Sequence, residues 1–219
     1  MKKLILLLLF IPLVSCQDVE VRKTYYDSGE LEATATYVDD LRQGEWKYYY
    51  KSGELKRTEN YVNSILQGEY KEYYKSGELK STVNYIDDLI QGEAKYYYES
   101  GELEYTVNFV DGDEQSPDGL RQGEWKEYYK SGELKSTVNY IDDLKQGEWK
   151  EYYKSGELEY TSNYVDGDLI QGQLKEYYDS GVLASTENYV DDLRQGEWKW
   201  YYETGKLRST GNYVDGIEQ

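Results

Sequence analysis

The chain has 219 residues and a formal charge of −18, with 28 Tyr, 5 Trp, 2 Phe, one Cys and no His. That charge argues against phosphate-driven binding to nucleic acid. One Cys excludes a disulfide within the chain, and the lack of His removes the commonest general base and transition-metal ligand.

Residues 1–15 differ in kind from the rest. Lys2 and Lys3 precede an apolar run, Leu4 to Val14, that is too short to span a bilayer as a helix and reads as a secretory signal. The segment ends in Leu13-Val14-Ser15-Cys16, which resembles the lipobox of bacterial lipoproteins. The resemblance implies cleavage before Cys16, acylation of its thiol, and a membrane attachment through that lipid. Gln17, by similarity to Gram-negative lipoproteins, implies export to the outer membrane. Residues 16–23 then read as the lipidated cysteine and a short tether, and residues 24–219 as the folded part.

From there the chain repeats. Ser-Gly places Gly29, Gly53, Gly77, Gly101, Gly132, Gly156 and Gly181, and Thr-Gly places Gly205. Gln-Gly keeps the same steps, and all steps are 24 or 25 residues except one of 31. Such a period marks a stacked array whose units bury their apolar faces on their neighbours.

One unit, Gly123 to Gln146, shows what each builds. In Glu124–Tyr129 alternation puts Trp125, Glu127 and Tyr129 on one face and Lys126 and Tyr128 on the other. In Leu134–Ile141 it groups Leu134, Ser136, Val138 and Tyr140, with Lys135, Thr137, Asn139 and Ile141 opposite. Lys130-Ser131-Gly132-Glu133 is a tight turn, and Asp142–Gly147 a return loop. Each unit is therefore a β-hairpin. The fold expected is all-β, an elongated, twisted antiparallel sheet of about sixteen strands, its Trp face concave. A closed propeller is the alternative, although its blades need four strands each.

The pattern G-x-W-x-x-Y-Y-x-x-G-x-L, followed by a Tyr and an acidic turn, resembles the variant MORN repeat, which also makes up the YwqK-type antitoxin family. The resemblance spans residues 21–216. It implies a protein-binding role, and for the antitoxin branch a toxin partner in a toxin–antitoxin pair.

The candidate sites are few. Serines in turns and glutamates at equivalent repeat positions (Glu54, Glu78, Glu102, Glu133, Glu157) read as structural, so no catalytic residue, enzyme activity or cofactor is expected. The longer loop 111–119 carries Asp111, Asp113, Glu114 and Asp118, a weak Ca²⁺ candidate whose spacing departs from an EF-hand. The row Tyr49, Tyr73, Tyr97, Tyr128, Tyr152, Tyr177 and Tyr201 should stack into a ladder and offers an extended contact surface. Its expected partner is a protein, a basic one being attracted by the acidic field; glycan stacking is the alternative from another class.

Overall fold

A computed structural model describes residues 18–110, 120–167, 169–170 and 172–219, apart from the side chains of 169 and 170. Among these residues the chain is one open antiparallel sheet without helix. Sixteen strands of six to nine residues alternate with seven strands of only two residues. Pairing follows chain order, each long strand bonding to the one before and the one after. The hairpin array expected from the 24-residue period is what the sheet contains. Strand pairing begins at Val19, inside the segment that the sequence assigns to the tether.

Two kinds of turn build each unit, and each follows from its residues. At the tip, Tyr129 N–H bonds to Glu133 O and Gly132 N–H to Tyr129 O, both at 2.8 Å. This is a three-residue loop that must end in a left-handed residue, and Gly132, at φ 97°, supplies it. The opposite turn is tighter than the expected loop. Ile141 pairs directly with Leu144 around Asp142 and Asp143, which sit at φ 49° and 66°. Positive φ at both central residues matches the right-handed twist of the strands, and Asp tolerates it better than most residues. The two-residue strands after these turns, such as Leu41–Arg42 and Leu193–Arg194, were not legible as strands.

A bulge in every hairpin alters the face assignment. Glu127 pairs with Ser136, but Tyr128 pairs with Leu134, leaving Lys135 as the extra residue. Leu134 therefore joins the Tyr128 face and Lys135 turns to the Trp125 face, where its Nζ donates to Glu127 Oε1 at 2.6 Å. Strict alternation had placed both the other way; the extra residue reverses parity from that point.

The core is a layer on the Trp face. Trp46 lies 5.2 Å from both Tyr37 and Tyr61, and Trp198 lies 5.5 Å from Tyr189 and 4.7 Å from Tyr213. Where Ala94 stands in the Trp position, Tyr105 replaces a small residue and stacks on Tyr96 and Trp125 at 4.3 and 4.8 Å. Ala94 is then fully buried with Val83, Ile90 and Val107.

Between repeats the backbone pairing is sparse. Within a hairpin six residue pairs align, as for Gly123–Tyr128; between hairpins the central register holds two, as for Arg57↔Glu72 and Thr58↔Lys71. Side chains complete the joint. The hydroxyls of Tyr26, Tyr50, Tyr74, Tyr98, Tyr129, Tyr153 and Tyr178 donate to the carbonyls of Tyr49, Tyr73, Tyr97, Tyr128, Tyr152, Tyr177 and Tyr201 at 2.6–2.9 Å. At the other rim, Asp142 N–H donates to Gln122 Oε1, and Asp166 N–H to Gln146 Oε1, both at 3.0 Å. Removing only the donor therefore tests the joint. Tyr153→Phe should cost about 0.5–1.5 kcal/mol in urea unfolding, whereas Tyr152→Phe should cost little.

Candidate functional site

The seven tyrosines singled out from the sequence fall on one face, all half-buried. They do not stack. Successive members are two strands apart, about 9.5 Å, beyond the 4.5–7 Å of ring contact. The aromatic pairs of the described residues lie instead on the Trp face. On the Tyr face the bulge inserts a leucine between each two tyrosines, giving an alternating row. The largest groove here, about 420 Å³, lies between Tyr97 and Tyr128, with Leu103 between them and Lys95, Lys126, Thr106 and Asn108 around them. Smaller depressions recur along the same face, one lined by Glu69, Thr82 and Asn84 and another by Glu124, Thr137 and Asn139.

This face is close to electroneutral, unlike the chain as a whole. By alternation it carries Lys23, Lys47, Lys71, Lys95, Lys126, Lys150, Lys175 and Lys199, against Glu45, Glu69, Glu93, Glu124, Glu148 and Glu197. Six of the lysines bind the glutamate two residues before them at 2.7–3.0 Å. Each of those hydrogen bonds raises its lysine's pKa. Acidity collects at the rims instead, in the Asp-Asp turns on one side and in the tip glutamates on the other. Glu54 and Glu133 there are held below the usual carboxylate range, first by Ser52 and Ser131 and then by their own backbone N–H groups.

The Trp face holds a departure that sequence reading missed. In two repeats the glutamate beside the bulge has a cation: Glu72 meets Lys80 at 3.1 Å and Glu127 meets Lys135 at 2.6 Å. In the next two, Glu159 and Ala184 stand where those lysines would be. Glu151, Glu159 and Glu176 consequently line a pocket of about 350 Å³ with Tyr153, Tyr160, Tyr177 and Tyr178. Burial, and then Glu159, push the Glu151 carboxyl above its usual range, with Glu127 adding to this and Lys135 opposing it. The substitution of Glu159 for a lysine is the signal that would have marked the place.

Cys16 and the acidic loop residues Asp111, Asp113, Glu114 and Asp118 lie outside the described residues. No cluster of three or more metal-ligating side chains occurs among those described. No described helix is long and apolar enough to cross a membrane.

The raised carboxyl yields a pH test. A group whose folded pKa exceeds its unfolded value stabilises when protonated, so its contribution is lost as pH rises through that window. Glu151→Gln should therefore raise Tm at pH 7.5, and should narrow the difference between melts at pH 5 and pH 7.5.

Comparison with known proteins gives a family and little else. The MORN repeat variant matches residues 21–39, 42–63, 66–87, 90–111, 121–142, 145–166, 170–191 and 194–215. No curated protein matches the chain. Among solved structures, similarity is found to a GtfA/B complex bound to UDP and GlcNAc, at 16% identity and a TM-score of 0.24. It covers 59% of this chain and 25% of that one, so the chain spans about a quarter of the length of that relative. A porin-like protein from Bacteroides uniformis is similar at 9% identity and a TM-score of 0.22, with 92% of each chain covered. At those scores neither likeness carries an argument. With eight matched units across nearly all of the described sheet, the chain belongs to the MORN repeat variant family.

Proposed function

We propose that this chain is a non-enzymatic protein-binding module of the cell envelope, held there by lipid on Cys16. The observation that carries the binding role is the Tyr face, where half-buried tyrosines and leucines alternate and the charged side chains already pair with one another. A partner seated on it gains aromatic and aliphatic area with little charge to desolvate. The partner this fits is an extended polypeptide segment laid along the Tyr97–Tyr128 groove. The acid behind the −18 charge lies at the rims, outside the contact, so charge is not what holds the partner.

Neutralisation of a toxin, implied by the resemblance to the YwqK-type family, is a special case of the same role. Anchorage at the outer membrane rests on the leader and on Gln17.

The test is capture from envelope and secreted fractions with residues 18–219 as bait, compared with the Tyr97→Ala/Tyr128→Ala double variant. One protein should be enriched by the native face and lost with the variant. Because the face is balanced, retention should change less than about threefold between low and high NaCl. Release of the protein by salt with no effect of the Tyr changes would place the contact on the acidic rims and end this reading. Recovery of glycan with no protein would favour sugar stacking. A captured protein that is toxic when expressed alone would make the module an immunity protein.

A further inference from the structure

Each joint in the array uses the same parts, and the two outer strands of the described sheet carry those parts with one long-strand partner each among the described residues. Leu207–Val214 is an edge strand on one side and Val19–Tyr25 on the other. Tyr202 holds the stapling position of the last described repeat and is 53% exposed. At the first strand, the Tyr25 carbonyl stands where a preceding repeat's hydroxyl would arrive. Asn60 and Asn188 donate across their joints to the carbonyls of Glu69 and Glu197; Asn212 is their equivalent at the last edge, and the Val21 carbonyl the matching acceptor at the first.

The charges at the ends match too, and with reversed sign. Inside the array the residue after the tip glycine lies over the next repeat's tip: Glu157 Oε2 is 2.8 Å from where a Cβ on Gly181 would be. That residue is Glu in the first six repeats and Val182 in the seventh, and several of these glutamates face a lysine in the next tip, as Glu54 faces Lys75. In the last repeat alone it is basic, Lys206. In the first repeat the facing position is acidic, Asp27, as it also is at Glu99, Asp179 and Glu203. A second reversal lies at the other rim. Lys145 and Arg194 cover Trp149 and Trp198 of the next repeat at 4.0 and 4.6 Å, whereas the corresponding end residues are Glu218 and Arg22.

We propose that copies of this chain join head to tail, the Leu207–Val214 edge of one copy laid against the Val19–Tyr25 edge of the next in the register of the internal joints. Lys206 then meets Asp27 of the second copy, and the Tyr202 hydroxyl meets its Tyr25 carbonyl. Glu218 enters the place that Asp18 takes in an isolated copy, where the Asp18 carbonyl accepts from the Asp39 N–H at 3.0 Å; at internal joints the N–H of the next turn residue is used, as Ser64 donates to the Arg42 carbonyl at 2.8 Å. The displaced residue is exposed. Since the contact is heterologous and repeats the internal geometry, it does not close on itself and generates a linear series. An open sheet edge is a standing template for such pairing, and here its charges are matched to a partner edge.

Sedimentation equilibrium on residues 18–219, which contain every described strand, tests this. The average mass should rise with concentration through dimer and trimer without stopping at two copies. Lys206→Glu and Asp27→Lys should each weaken association about tenfold or more by like-charge contact, and their combination should restore it. Both positions are exposed at hairpin tips, so unchanged melting curves would show that the variants fold. A chain that stays monomeric at all concentrations, a mass that stops at the dimer, or association indifferent to both reversals would overturn the proposal.

Discussion

The phenol-to-carbonyl bond between neighbouring repeats is the contact on which the rest of the sheet depends. Main-chain pairing between hairpins does not reach their tips, since on that side it ends at pairs such as Ser136↔Glu151 and Tyr160↔Glu176. Beyond that point the carbonyl at Tyr152 and its equivalents would lack a partner in a half-buried setting, which costs more than the bond itself is worth. The Tyr129 hydroxyl supplies the partner at 2.7 Å, and the same solution occurs at every joint.

Adjacent tyrosines thus have opposite tasks. Tyr129 spends its hydroxyl on the next repeat, while Tyr128, one residue earlier, gives only its backbone carbonyl and keeps its ring at the surface. The charged residues divide in a similar way. Lysines and glutamates two apart on a strand lie side by side on one face and compensate locally, so the excess of acid is carried by turns, where Asp is favoured for its backbone behaviour rather than its charge. A large net charge and a nearly neutral Tyr face are compatible because the two are set by different requirements.

Period and alternation made the architecture legible, because hairpin length, the tip glycine and the in/out pattern are local properties of the chain. What stayed hidden depended on register. The bulge beside Tyr128 changes the parity of a single residue, and nothing in Leu134-Lys135 distinguishes a bulged from a regular strand end; the sequence pattern therefore assigned both to the wrong face. The stapling row was invisible for a related reason: Tyr-Tyr shows a donor but not the carbonyl 23 residues away that receives it. Ring stacking along Tyr49–Tyr201 was expected from the row alone, and the two-strand spacing prevents it. The pocket at Glu151, Glu159 and Glu176 was within reach, since a lysine replaced by an acid is visible in an aligned repeat, but its meaning required knowing that Lys135 turns towards Glu127.

Since the joints reuse the same tyrosine staple and the same central backbone register, a repeat carries what it needs to meet another repeat. Strand contacts run only between near neighbours along the chain, so removing or duplicating 24 residues recreates the junction that was there before. Unequal crossing-over between the near-identical stretches of such a gene would yield folded products of altered length. The number of units is therefore a heritable quantity that can drift without a change in any single contact, and the length of the sheet can be tuned in steps of one hairpin.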